Sequence, residues 1–433
     1  MKFKYIAVIV ITLFATSFAL AEQSLQDLVT SARSGDADSQ YQLGSTYAKN
    51  RDFPEAVKWY EKAAQQGHIE AQLTLATMYS EAIQVPQDLP KAVFWLRKAV
   101  ERNHPQAQFL LGNMYADGNG VERNYTQAMD LYAKSAKQSY LPAQCAIASM
   151  YVLGVAVEKD YTKAVKWYLR AANSGYAPAQ YLLACSYYSG QGVTQDYAQA
   201  LLWYKKAAQQ GDAVAQFRLG NMYELGHGCT ADLKEACQWY RKSADAGYAL
   251  AQYNLGANYT AGKGVPKNHS EAVKLYLKAA QQGYTPAQSD LGVNYASGWG
   301  VEKDYLEAVK WFQKAAESGY ENAQYNLGCM YDQGTGVVAD PQEAVRWYTK
   351  AAKQGNAKAQ LRLAVMYCTE TGVTKNYVEA YKWAILVGIN GCDVEKLKQD
   401  LKLKMSKDQI RAAQVDAKKL IDEIETLQQQ NRN

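Results

Sequence analysis

The sequence predicts an all-α protein, a right-handed α/α superhelical solenoid of about ten 36-residue repeats with helical caps. Three observations carry this reading. An Ala-Gln-x-x-[Leu/Ile]-[Gly/Ala]-x-x-Tyr mark begins at Ala71, Ala107, Ala143, Ala179, Ala215, Ala251, Ala287, Ala323 and Ala359, every step being 36 residues; a shorter-spaced copy starts at Ser39. A second mark opens at an alanine and recurs from Ala56 to Ala380, also in steps of 36. Inside each copy the apolar residues fall at helical spacing, as in Ala251, Leu255 and Tyr259, then Ala272, Leu275, Tyr276, Ala279 and Ala280.

The chain opens on a targeting pattern. Lys2 and Lys4 precede an apolar run from Tyr5 to Phe18, and Ala19-Leu20-Ala21 matches a small-x-small cleavage site. The sequence therefore predicts a signal peptide over residues 1–21, cleaved after Ala21, and a periplasmic or secreted mature protein. The apolar run is short for a membrane span of about 20 residues, and no later stretch is apolar enough to cross a bilayer. Residues 22–35 read as an N-terminal capping helix, with Leu25, Leu28 and Ala32 on one side and Gly35 at its end.

Residues 36–391 read as one array of ten repeats, each packing on its neighbours. In each, Asp or Asn opens the second helix, as at Asp52, Asp160, Asn268 and Asp340, because its side-chain oxygen accepts an orphan backbone N–H. Glu55, Glu235, Glu271, Glu307, Glu343 and Glu379 fit the acidic position of a capping box. Glycines such as Gly175, Gly247 and Gly283 stand where a helix end favours a left-handed residue. Residues 392–433 read as C-terminal capping helices and a tail. Ser406 and Gln409 form a capping box, and Ile410, Ala413, Ala417, Leu420, Ile421, Ile424 and Leu427 form an apolar stripe. The alternative for residues 406–427 is a partner-binding helix.

The succession Ala-Gln-x-x-Leu-Gly-x-x-Tyr, Gly-x-Gly-Val-x-x-Asp and Ala-x-x-Trp-Tyr-x-x-Ala-Ala-x-x-Gly resembles the Sel1-like repeat, a relative of the tetratricopeptide repeat. The resemblance covers about Ser34 to Gly391 in ten copies. Four positions depart from its turn glycines, namely Ala82, Gln84, Ala156 and Glu370, and reshaped turns are expected there. The cysteine-rich secreted branch of the family, as the resemblance implies, bridges its paired helices. The corresponding columns here hold no Cys, so that framework is absent. Cys145, Cys185 and Cys329 read as small buried residues, and Cys229 with Cys237 is the one pair worth testing.

Composition excludes several function classes. Removal of Lys2 and Lys4 leaves 45 basic against 42 acidic residues, a net charge of +3, with no basic cluster of the kind nucleic acid requires. His68, His104, His227 and His269 lack partners at zinc spacing. No nucleophile or phosphate-loop motif stands in a credible context, so the chain is read as non-catalytic, with no cofactor and no metal. The resemblance links some cysteine-rich members to β-lactam binding or hydrolysis, and without their cysteines this stays a third reading.

One surface does carry a signal. The position two residues after the Ala mark should face a concave groove, and holds Phe217, Tyr253 and Tyr325 in the second half of the chain. The alternative is that these rings pack on neighbouring helices. The next position changes from Leu110, Ala146 and Leu182 to Arg218, Asn254, Asp290, Asn326 and Arg362, with Asn221 one turn on from Phe217. Amide side chains and rings suit an extended peptide. The expected function is a protein-protein interaction scaffold or adaptor in the bacterial envelope, its partner a protein segment. The resemblance implies a cell-wall enzyme or envelope complex as partner. Carbohydrate or peptidoglycan binding and a secreted host-interaction role are the alternatives. Most Trp occupy the second-helix column and read as core, leaving Trp299 as the free candidate for a glycan.

Overall fold

The computed structural model describes residues 25–389 and 393–430, so the targeting segment 1–21, Ser24 and the stretch 390–392 lie outside the described residues. Those described are helices and turns, without a strand among them. The chain forms two compact units, one ending at Ala207 and one beginning at Ala208.

The first unit begins with α1 (25–34). Hairpins follow: α2 (Ala37–Lys49) with α3 (Phe53–Gln65), α4 (Ile69–Glu81) with α5 (Leu89–Glu101), and α6 (Pro105–Asp117) with α7 (Tyr125–Lys137). Next come α8 (Leu141–Leu153) with α9 (Tyr161–Asn173), then α10 (Ala177–Ser189) and α11 (Tyr197–Gln209), within which the boundary falls. The second unit holds α12 (Ala213–Leu225) with α13 (Leu233–Asp245), α14 (Ala249–Ala261) with α15 (His269–Gln281), and α16 (Thr285–Ser297) with α17 (Tyr305–Glu317). It continues with α18 (Glu321–Gln333) and α19 (Pro341–Lys353), α20 (Ala357–Thr369) and α21 (Tyr377–Ile389), α22 (Glu395–Lys402) and α23 (Lys407–Gln430).

The caps form as their chemistry dictates. Asn268 accepts the Glu271 N–H at 3.1 Å, and Asp160, Asp304 and Asp340 do the same for the residue three further on. From α4 onward first helices end in a left-handed residue, such as Gly262 at φ +72°, whose N–H reaches the Asn258 carbonyl. Here one expectation is corrected. Ala82, Gln84, Ala156 and Glu370 do not reshape their turns but adopt φ of +54° to +61° themselves. The flanking helices impose the left-handed conformation, and these side chains bear the steric cost.

The structure also explains the Ala-Gln mark. Ala251 and its counterparts are fully buried where paired helices touch, and Gln252 is 3% exposed. The Gln252 amide donates to the Ala244 carbonyl at 3.1 Å, capping the preceding helix end; Gln72, Gln216, Gln288, Gln324 and Gln360 repeat the bond. A second-order pattern lies beneath it. Gln66, Gln138, Gln282 and Gln354 donate to the mark glutamines of their own copies at 2.7 to 2.9 Å. In the intervening copies Oε1 of Gln72, Gln144, Gln216 and Gln288 is buried without a partner among the described residues. With Gln210 in the same column, the closing glutamines fall 72 residues apart, so the repeats alternate in pairs.

In six copies the second helix lays an aromatic ring on a glycine of its own first helix, namely Gly44, Gly112, Gly220, Gly256, Gly292 and Gly328. A Cβ on Gly256 would stand 2.7 Å from Tyr276 Cε1, so only hydrogen fits there without displacement. The Trp column links copies. Trp311 of α17 is 9% exposed and packs with Ala272, Val273 and Tyr276 of α15, and Trp347 packs likewise on the α17 cluster. At the chain's described ends, α1 puts Ala32 against Leu43 and Trp59, while α23 buries Ala413, Ala417 and Ile424 in the cluster built on α21. Ser406 and Gln409 exchange their capping-box bonds at 2.9 and 3.2 Å. The side chain of Leu427 lies outside the described residues.

Cys229 and Cys237 are both free, as are Cys145, Cys185, Cys329 and Cys368. The suggested pair does not form because Cys237 Sγ points to the Lys263 carbonyl at 3.3 Å and takes the Asn258 amide, while Cys229 turns toward the α12 end. Burial pushes the Cys145 thiol up to about 12, which removes it from thiolate chemistry.

Candidate partner-binding face

The first helices of the second unit carry the residues singled out in the sequence, and they fall at three depths. Phe217 is 5% exposed and lies beneath the face, its ring centroid 5.7 Å from Tyr240 and 5.3 Å from Tyr248. It supports the surface and does not meet solvent, so of the two readings of this column the packing of rings on neighbouring helices holds for Phe217. A helical wheel gives a direction from one axis, and the neighbouring copy's Tyr248 covers that direction. Tyr253 is half-buried in the same way, 5.6 Å from Tyr276 and 5.1 Å from Tyr284. Tyr325 stacks obliquely on Tyr348 at 5.8 Å and is also half-buried. Such rings bury their bodies and leave edges or hydroxyls at the surface.

The polar column sits one step outward. Arg218 and Arg362 are exposed, and Asn254, Asp290 and Asn326 are partly exposed. These side chains are tied to the ring layer. Tyr240 donates its hydroxyl to Asn221 Oδ1 at 2.7 Å and to Glu224, and the Asn254 amide also bonds that hydroxyl. Burial, reinforced by Glu224, holds the Tyr240 hydroxyl firmly protonated. The Tyr253 hydroxyl donates to Asp290 Oδ2 at 3.1 Å, and Arg362 sits beside Tyr325 and Tyr348.

Asp290, Tyr325 and Asn326 meet at a cavity of about 480 Å³, which Ser289, Tyr320, Glu321, Asn322, Asn356 and Lys358 also line. Sequence reading passed over these last six, although one signal pointed to them. Rings fill this column in every odd-numbered copy and, with Phe217, in copy six, but between Tyr253 and Tyr325 copy eight holds Ser289. The missing ring leaves the space.

Burial pushes the Asp290 carboxyl up from its ordinary value, partly offset by the Tyr253 hydroxyl. The folded pKa lies above the unfolded one, so folding favours the protonated acid and that contribution is lost as pH rises through the folded pKa. Asp290→Asn, which keeps an acceptor for Tyr253, is therefore expected to raise the melting temperature at pH 7. The gain should vanish as pH falls below the unfolded carboxylate range. A variant melting below the parent at pH 7 would contradict this.

The Sel1 repeat family matches ten times, from residues 37–68 and 69–104 through to 322–356 and 357–386. A comparison with curated proteins gives no match. Among solved structures, a protective antigen present in uropathogenic Escherichia coli strains, displaying an SLR fold, is 34% identical with a TM-score of 0.64. That likeness covers 94% of this chain and 97% of the antigen. A Sel1 repeat protein from Oxalobacter formigenes is 35% identical with a TM-score of 0.58, over 71% of this chain and 91% of its own. Sel1 repeat proteins are typically protein-interaction scaffolds and are generally non-enzymatic. With ten matched repeats and the all-α solenoid architecture they build, the chain belongs to the Sel1 repeat family.

Proposed function

We propose that this protein is a non-catalytic scaffold of the bacterial envelope that holds an extended partner segment along the first-helix face of its second unit. The observation that carries the reading is the cavity between α16 and α18. It sets rings, amides and two carboxylates around one opening, on a column that runs Gln42, Thr74, Leu110, Ala146 and Leu182 in the first unit and Arg218, Asn254, Asp290, Asn326 and Arg362 in the second. Peptide grooves need that combination, since amides bond backbone groups and rings supply area at low entropy cost. The partner-contact set is Arg218, Asn221, Asn254, Asp290, Asn326 and Arg362, with Tyr253 and Tyr325 at the ring layer and Phe217 supporting them. A periplasmic or secreted location follows from the targeting pattern over residues 1–21. Among the described residues no helix is long and apolar enough to cross a membrane. A cell-wall enzyme or envelope complex is the partner class.

The E. coli relative is a protective antigen, which favours a secreted host-interaction role as the second reading. Trp299, 52% exposed and stacked on His269 at 5.8 Å, is the one observation for a glycan.

The test is capture from envelope extract by the mature chain. Replacing Arg218, Asn254 and Asn326 together by Ala should leave helix content unchanged and weaken capture at least roughly tenfold, about 1.4 kcal/mol. Lys274 and Lys310 lie on second helices, paired with Glu271 and Glu307, and their replacement should matter far less. Equal capture by both variants would remove the face from the account.

A further inference from the structure

We propose that the cavity over Ser289 receives an arginine side chain of the partner segment; this rests on the groove reading above and names what the groove selects. Four independent features of the pocket agree on a cation with planar donors. The floor is Ser289, 2% exposed, and among the described residues its hydroxyl makes no hydrogen bond, so an acceptor lies open beneath the cavity. The rim holds two carboxylates from successive first helices, Asp290 on α16 and Glu321 on α18.

Neither carboxylate has an ion-pair partner among the described residues. The groups acting on Asp290 are its own burial and the Tyr253 hydroxyl, and on Glu321 burial alone. Removing a carboxylate from water without a counter-charge is costly, and a ligand cation relieves that cost. The walls are aromatic. Elsewhere the column-two ring covers the next copy's capping tyrosine, as Phe217 covers Tyr248 and Tyr253 covers Tyr284. At Ser289 no ring does so, and Tyr320 faces the cavity together with Tyr325. A guanidinium restores the missing layer by stacking on tyrosine while its N–H groups reach both carboxylates, which an ammonium cannot match in plane.

The volume also fits. About 480 Å³ exceeds one side chain and leaves room for the flanking backbone, which Asn322 and Asn326 are placed to bond. Lys358, whose Nζ lies 6.0 Å from the Tyr325 ring centre, is the one cation of the protein lining the cavity.

The experiment uses the full mature chain and two blocked pentapeptides, Ac-Gly-Ala-Arg-Ala-Gly-NH2 and the same peptide with citrulline, titrated by saturation-transfer NMR. Citrulline keeps the shape and removes the charge. Arginine should bind at least tenfold more tightly, and Asp290→Asn with Glu321→Gln should abolish the preference. Ser289→Tyr, which supplies the ring found in copies seven and nine, should block the peptide while keeping the melting temperature. Equal affinity for the two peptides on the unaltered chain overturns the proposal, as does undiminished binding to a folded Ser289→Tyr variant. Should arginine preference be absent while the Arg218, Asn254 and Asn326 variant still loses partner capture, the groove stands and this pocket's role falls. If capture survives that triple change, the groove reading falls, and the two-peptide comparison still decides the pocket by itself.

Discussion

Trp311→Ala is expected to cost about 3–5 kcal/mol and to loosen the second unit locally, not uniformly. Trp311 is 9% exposed, and its ring fills the cluster of Ala272, Tyr276, Ala279, Ala287 and Leu291, so it belongs to copy eight but packs largely on copy seven. Removing it deletes the apolar contact that fastens one repeat to the next, and the ring's cation contact with Lys314 at 4.3 Å goes too. In a solenoid stability is close to a sum of repeat and nearest-neighbour terms. Amides of α15, α16 and α17 should therefore exchange roughly 100- to 1,000-fold faster, at 1.4 kcal/mol per tenfold. Those of α21 should change by about threefold or less, being more than one neighbour away. Uniform acceleration across the second unit would show that it melts as a single cooperative body.

Gly264→Val should be strongly damaging, as should the same change at Gly192, Gly300 or Gly372, where an added Cβ would also lie 2.3 Å from backbone. Gly264 has φ +68°, and a Cβ there would lie 2.2 Å from the Leu233 carbonyl oxygen and 3.0 Å from Cys237 Sγ. The close approach joins the turn of one copy to the second-helix start of the copy before. Left-handed strain of order 1–3 kcal/mol and a similar overpacking penalty together predict about 2–6 kcal/mol. Gly283 provides the control, with φ +85° and nothing within 4 Å of an added Cβ. Gly283→Ala should cost only the conformational part, about 1–2 kcal/mol. Urea unfolding of the two variants measures the difference. Similar midpoints would mean that the turn yields to the added side chain.

What was legible in the sequence was whatever is decided within one copy or by the period. Asn268, Asp304 and their counterparts announce helix starts because capping is a bond over three residues. The Trp column announces itself as core because it recurs at 36. The depth of Phe217 was not legible, since it depends on Tyr248 arriving from the next copy. The left-handed Ala82, Gln84, Ala156 and Glu370 were misjudged because residue preference was weighed above the flanking helices that hold these turns. The 72-residue alternation was present in Gln66, Gln138, Gln210, Gln282 and Gln354, but its meaning required the buried Oε1 atoms of the copies between. The cavity at Ser289 is the same kind of signal. A serine in a ring column reads as a mild departure until packing shows that nothing fills the space.

The most direct test of the scaffold account places a photo-crosslinking residue, p-benzoylphenylalanine, at Asn322 or at Lys274 in the mature chain. Asn322 is exposed and lines the cavity, whereas Lys274 lies on a second helix in an ion pair with Glu271. After irradiation in envelope extract, the account predicts a dominant protein adduct from position 322, competed by unlabelled parent chain, and only background from position 274. An adduct from position 274 with position 322 silent would contradict the account and move the partner to the second-helix side.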